Sequence, residues 1–228
     1  MRKTLIATTL LATAAATPAA FAHQAGDIIV RAGAIHLSTN ESSSKIKVNP
    51  LSGNQKIPGT KATLNNDTQL GLNFAYMVTD HIGIELLAAS PFELTAKQKG
   101  TLQGMGLDSK LGKFKALPPT LSAVYYPMNK ASAFQPYVGL GVNRTLFFNE
   151  KANKSGGYSA MRVQNTWGWA AQVGADYMLT DNLMLNGQVR YIDMSTKARV
   201  DALDGTQTAK VKLDVKPVVY MLGLGYKF

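Results

Sequence analysis

Apolar residues recur at every second position along this chain. In "TQLGLNFAYMV", Leu70, Leu72, Phe74, Tyr76 and Val78 share one side, while Gln69, Gly71, Asn73, Ala75 and Met77 share the other. "IGIELLAASPFEL" sets Ile82, Ile84, Leu86, Ala88, Phe92 and Leu94 against Gly83, Glu85, Leu87, Ala89 and Pro91. "WGWAAQVGADYML" and the terminal "VVYMLGLGYKF" repeat the pattern. A step of two puts successive side chains on opposite faces of an extended backbone and so predicts strands. With the terminal strand taken as 213–228, four further segments, 27–39, 117–127, 134–148 and 183–194, bring the set to eight. Three connections are short: Thr79-Asp80-His81, 128–133 and Thr180-Asp181-Asn182. The others, 40–61, 95–115, 149–163 and 196–212, are long and polar, and the two kinds alternate strictly.

A soluble β-sandwich also alternates, but it buries its apolar face, and here glycines, polar groups and charges share the opposite face. Aromatics gather near strand ends: Tyr76, Tyr125, Tyr177 and Phe228 near short turns, and Phe92, Phe147, Phe148 and Trp167 near long loops. Two aromatic girdles around an apolar band point to a membrane barrel. In lipid such a sheet must close, because open edges would leave backbone groups unpaired at several kcal/mol each. The expected fold is all-β: an eight-stranded antiparallel transmembrane β-barrel with short periplasmic turns and long extracellular loops.

The first 22 residues change the picture. Arg2 and Lys3, an apolar run and Ala20-Phe21-Ala22 have the form of a signal peptide, which predicts export and a barrel over residues 23–228. No later segment has the roughly 18 unbroken apolar residues of a membrane helix. There is no cysteine, which excludes disulfides, cysteine-based zinc sites and a thiol nucleophile. Without Arg2 and Lys3 the chain keeps 22 basic and 14 acidic residues, a net charge of +8. In an exported protein this suits anionic lipid or polysaccharide better than nucleic acid.

The stretches "AGDIIVRAGAIHL", "NDTQLGLNFAYMVTDHIGIELLAASPFEL", "LPPTLSAVYYP", "FQPYVGLGVNRTLFF" and "DYMLTDNLMLNGQVRYIDMSTKA" resemble the OmpW family of small outer-membrane barrels. "DTQLGL", "LPPTL" and "PYVGLG" stand in that family's order and spacing. A terminal aromatic strand ending in Phe228 resembles the signal read by the outer-membrane assembly machinery. The resemblance implies a monomeric channel admitting small, mostly hydrophobic molecules and releasing them sideways into the membrane.

Heights counted from the short turns put four inward charges low in the barrel: Arg31, Glu85, Asp176 and Lys227. Eight strands enclose a space barely wider than its own side chains, so these charges predict a salt-bridged periplasmic plug. Higher up, inward Gly71, Ala89, Gly139, Gly141, Gly168 and Gly223 are expected to leave room. Leu87 points inward at the height where the family is expected to narrow its lumen. Arg190 in "GQVRYID" stands where some members place a tryptophan, which assigns it either to that constriction or to a pair with Glu85 or Asp176. Pro91 and the pair Pro118-Pro119 fall at similar heights in neighbouring strands. Proline cannot donate to a β-ladder, which makes the three a candidate lateral exit whose unpaired carbonyls meet water or a gap. The long loops hold 16 basic residues against five acidic ones. Among them Lys45, Lys47, Lys97, Lys99 and Lys113, with Arg144 on the lipid-facing side of its strand, are candidates for contact with lipopolysaccharide phosphates.

Other classes stay open on the residues alone. Gln69, Asn73, Asn143, Gln172 and Gln188 would suit a narrow pore for polar solutes or cations, and a structural or adhesive barrel needs no lumen. An enzyme needs a nucleophile, a base and an orienting group. His23, His36 and His81 share no inward wall with a serine and a carboxylate, so no catalytic residue, metal site or cofactor is expected.

Overall fold

A computed structural model of the chain describes residues 23–39, 47–49, 55–56, 61–99, 108–129, 131–202 and 207–228. The signal-peptide assignment and Lys45 lie outside them. Among the described residues the strands are, in chain order, β1 (Ile28–Ser38), β2 (Lys47–Asn49), β3 (Gln55–Lys56), β4 (Lys61–Leu64), β5 (Asp67–Met77), β6 (Ile82–Ala89), β7 (Phe92–Lys99) and β8 (Lys110–Leu117). They continue as β9 (Thr120–Tyr125), β10 (Phe134–Ala152), β11 (Tyr158–Val163), β12 (Thr166–Met178), β13 (Leu183–Ala202), β14 (Gln207–Val215) and β15 (Val218–Lys227).

Eight of these close a ring. β1 pairs with β5, β5 with β6, β6 with β9, β9 with β10, β10 with β12, β12 with β13, β13 with β15, and β15 with β1, all antiparallel. The end of the chain completes the seam: the Phe228 N–H donates to the Ile28 carbonyl at 2.8 Å, and its ring meets Tyr226 edge-on at 4.8 Å. Two of the short turns share one device. The hydroxyl oxygens of Thr79 and Thr180 each accept N–H groups two and three residues on, which folds "TDH" and "TDN" into the same tight reversal.

The outer wall is apolar. Leu72, Phe74, Ile84, Leu86, Leu121, Val138, Leu140, Val173, Leu185, Leu222 and Leu224 are all exposed. Tyr76, Tyr125, Phe134, Tyr177, Tyr226 and Phe228 are exposed along the edge nearest the short turns. The opposite girdle differs from expectation. Phe92 is fully buried and Phe147 packs edge-on to Phe114, so Trp167, Trp169 and the half-buried Tyr191 form that edge.

Where described, the polar stretches read as loops are largely sheet. β10 runs on to pair Leu146–Ala152 with β8, β13 runs on to pair with β11 and β14, and β7 pairs with β8 and β4. Dense lysine hid a surviving alternation: Phe92, Leu94 and Ala96 are buried between exposed or half-exposed neighbours, as are Ala198 and Val200. The turn at Ser90-Pro91 also reverses the strand's faces. Glu85 and Leu87 face inward before it, and even-numbered Phe92 and Leu94 are buried after it, so the continuous parity expected across Pro91 does not hold.

The inward glycines do not hollow the barrel. A Cβ on Gly71 would meet Ile35 and the Met221 sulfur at 3.0–3.2 Å, and one on Gly139 would meet Val124 and Gln172 within 2.9 Å. At Gly33 it would fall 2.2 Å from the Leu222 carbonyl oxygen, because β1 and β15 approach too closely for any side chain. Glycine here lets the wall bend and larger neighbours lean over it.

Candidate functional site

The interior is layered. Nearest the short turns Ile29, Met77, Val124, Tyr126, Tyr137, Met178 and Met184 pack together. Beyond Tyr126 and Tyr137 lies a polar layer. The Arg31 guanidinium grips Asp176 with two N–H groups, Nε to Oδ1 at 2.9 Å and Nη2 to Oδ2 at 2.5 Å. It also donates to the Tyr126 hydroxyl at 2.9 Å and to Asn73 Oδ1 at 3.2 Å, and lies 3.6 Å from Glu85. Glu85 accepts from Arg190 at 2.5 Å and from Gln172 at 2.9 Å, and Arg190 donates to Gln172 as well. Asn186 donates to Asp176 at 2.8 Å and to Tyr137 at 3.0 Å. The four charged groups are at most 1 % exposed and balance in sign.

Of the four charges expected low in the barrel, three therefore meet. Lys227 lies instead 3.8 Å from Asp27, near the seam, and Arg190 joins the cluster through Glu85 rather than standing apart as a constriction. His23, expected to share no inward wall with a serine and a carboxylate, is also inside and does meet a carboxylate: Nε2 is 2.9 Å from Asp176 and its ring meets Tyr126 at 4.8 Å. The pattern held no signal for His23, which precedes the first strand, whereas Tyr126 and Tyr137 follow the inward parity of their strands, which was the available signal.

The amides proposed for a polar pore are all engaged with protein. Asn73 and Gln172 serve the charge cluster, Gln188 donates to the Met221 sulfur, and Gln69 bonds Asp67 and Ser90. Asn143 donates at 3.1 Å to the carbonyls of both Pro118 and Pro119. The Pro119 carbonyl also accepts the Arg144 N–H at 3.0 Å. The prolines' own carbonyls are thus satisfied, by an inward side chain and by the backbone of β10.

The ladder is nonetheless broken there. β6 and β9 pair as far as Leu87–Thr120, and pairing resumes at Phe92–Ala116 one register step on. Between these pairs lie Ala88, Ala89, Ser90 and Pro91 on one side and Leu117, Pro118 and Pro119 on the other. A second break was not expected. β1 and β15 pair up to Ser38–Val218, after which β14 leaves to join β2 and β13, with Pro217 at the parting. Pro217 in an otherwise apolar strand was the available signal.

Leu87 is 3 % exposed and belongs to an apolar cluster with Ile35, Phe92, Ile192, Val219 and Met221 above the charges. Above this floor lies a cavity of about 20 Å³, lined on its sides by Leu37, Leu94, Phe114, Met194 and Val215 and touching Pro118 and Pro217 at the two breaks. Three threonines reach its wall, but their hydroxyls donate elsewhere: Thr39 to the Leu64 carbonyl, Thr145 to Asn143 and Thr196 to the Gln164 carbonyl. What a solute meets is hydrocarbon.

Of the expected phosphate contacts, Lys97 and Lys113 are exposed, Lys47 lies in β2 and Lys99 ends β7. Arg144 is exposed on the lipid-facing wall with its guanidinium 5.0 Å from the centre of the Trp167 ring.

A family model described as the OmpW family matches residues 24–228, the whole barrel. The chain belongs to the OmpW family. Outer membrane protein W of Vibrio cholerae is 39 % identical over 231 residues, spanning all of both chains. The crystal structure of the outer membrane protein OprG from Pseudomonas aeruginosa superposes with a TM-score of 0.81 at 45 % identity, covering 91 % of this chain and 98 % of that one. The outer membrane protein AlkL, solved in lipid bilayers, superposes with a TM-score of 0.67 at 25 % identity, covering 100 % and 97 %. Its relative of that name in Ectopseudomonas oleovorans is 30 % identical, covering 77 % of this chain and 73 % of its own. This OmpW-family barrel resides in the outer membrane, among its lipids, and these relatives are outer-membrane proteins.

Proposed function

We propose that the protein admits small hydrophobic molecules from outside the cell and releases them sideways into the membrane. The observation that carries this reading is the apolar cavity standing on a closed floor and touching a gap in the wall at Pro118. A solute that prefers hydrocarbon gains by entering such a space once the lining side chains part to widen its roughly water-sized volume, at roughly 25 cal/mol for each Å² of apolar surface removed from water. Below it the path meets four buried charges. Crossing would mean parting ion pairs that have no water to fall back on, at several kcal/mol. The wall offers less resistance, since Ala88–Pro91 and Leu117–Pro119 share no ladder bonds to break. In this reading Leu87 and the Glu85–Arg190 pair form the floor that turns the solute, and Pro91, Pro118 and Pro119 keep the exit unzipped.

The test compares uptake of an alkane-like and a polar solute into liposomes with and without the protein. The chain has no cysteine, so Ala88→Cys with Pro119→Cys, opposite each other if the Leu87–Thr120 register is extended one step, gives a staple across the gap that is read against its own reduced form, because Pro119→Cys also returns a backbone N–H there. Oxidation should slow hydrophobic uptake at least several-fold and reduction restore it, with Pro91→Ala giving a smaller loss. Unchanged uptake with a fully formed staple would reject this exit and turn attention to the break at Pro217. Faster entry of the polar solute would favour a narrow pore.

A further inference from the structure

The outer wall carries a second feature that solute uptake does not use. Arg144 on β10 lies directly opposite Trp167 on β12 and is held over its ring. Trp169, two residues below, packs on Tyr191 at 5.5 Å and lies opposite Asp193 on β13. Asp193 pairs at 3.6 Å with Lys216, whose side chain is 46 % exposed. Two cations thus bound an aromatic ledge that crosses three strand spacings, roughly 15 Å. Interface depth suits all of them: Trp and Tyr favour that level, and an arginine there is far cheaper than at the bilayer centre.

We infer that this ledge is a docking site for a phosphorylated glycolipid of the outer leaflet, one bearing a phosphate at each end of a sugar headgroup. Each phosphate takes one cation. Arg144 presents a planar fork to the first, and Lys216 keeps donors for the second beyond its pair with Asp193. The sugars lie across Trp167, Trp169 and Tyr191, whose rings give rigid contact at the level where one side is hydrocarbon and the other wet. Phosphatidylglycerol has one phosphate and no ring to cover the ledge, so the spacing favours the two-phosphate sugar headgroup over it.

Trp167 and Trp169 are both of the chain's tryptophans, so fluorescence excited selectively at tryptophan reports on this site alone. Full-length barrel in detergent micelles is titrated with bisphosphorylated lipid A, its monophosphoryl form and phosphatidylglycerol. A saturable emission change is expected with the first, with at least fivefold weaker apparent binding for the second and none that saturates with the third. Arg144→Gln with Lys216→Gln should weaken lipid A binding about tenfold, while gel mobility without boiling shows the barrel still folded. Should that variant misfold, Lys216→Gln alone must abolish the preference for two phosphates over one. An equal response to all three lipids, or lipid A binding untouched by the charge removals, overturns the assignment.

Discussion

Arg31 and Asp176 stand 145 residues apart in sequence and meet in a two-pronged ion pair with neither side chain exposed. Each is committed to the other. Removing one partner from a buried pair leaves an uncompensated charge, at about 3–5 kcal/mol. Asp176→Ala should lower the urea-unfolding free energy by about that much, and it should raise ionic leak across planar bilayers. The double change Arg31→Met with Asp176→Leu should recover much of the stability, because no orphan charge remains. A single Ala variant as stable as the parent would show that water already reaches the pair.

Gly33 and Gly187 make opposite predictions from one residue type. A Cβ at Gly33 strikes the backbone of β15 at 2.2 Å, where nothing flexible can yield, whereas one at Gly187 finds only Leu222 Cδ1 at 3.9 Å. Gly33→Ala should cost about 3 kcal/mol or more, beyond ordinary overpacking, and impair closure of the β1–β15 seam. Gly187→Ala should fold normally. The fraction showing the compact, unboiled gel mobility after refolding separates them.

Lipid-facing depth can be read along β10. Leu140 is 68 % exposed near the middle of the apolar belt, and Arg144 already stands four residues higher, beside Trp167. Leu140→Arg should destabilise the barrel by about 2–4 kcal/mol in vesicles, while Arg144→Leu should change it by less than about 1 kcal/mol. Equal costs at the two positions would contradict the assigned membrane level.

Acid should loosen one extracellular clamp. The Asp108 carboxylate accepts the Lys110 N–H and the Asn153 amide, and these bonds hold its pKa below the ordinary value. A lowered folded-state pKa means that this support is full above the ordinary carboxylate range and lost as pH falls through the depressed value. Corrected for intrinsic rates, hydrogen exchange at the Lys110 amide should be protected at neutral pH and quicken only in strong acid. Asp108→Asn should abolish that pH dependence.

The two-residue alternation by itself determined the eight barrel strands, their lipid-facing side and the short turns, because lipid outside and protein inside impose opposite demands on successive residues. Shared motifs then pointed to the family. It also marked Arg31, Glu85 and Asp176 as inward, since charge on an otherwise apolar wall has nowhere else to go. Periodicity carries no distances, however. That Arg190 answers Glu85, that Lys227 goes to Asp27, that His23 folds back onto Asp176, and that glycines are overlaid rather than empty depend on barrel closure and strand stagger. The sheet beyond the membrane was hidden because lysine at alternate positions reads as loop until buried partners such as Phe92 and Val200 are seen. Proline marked the break at Pro91 and Pro118-Pro119, but only the closed ring revealed the second at Pro217 and brought both onto one cavity.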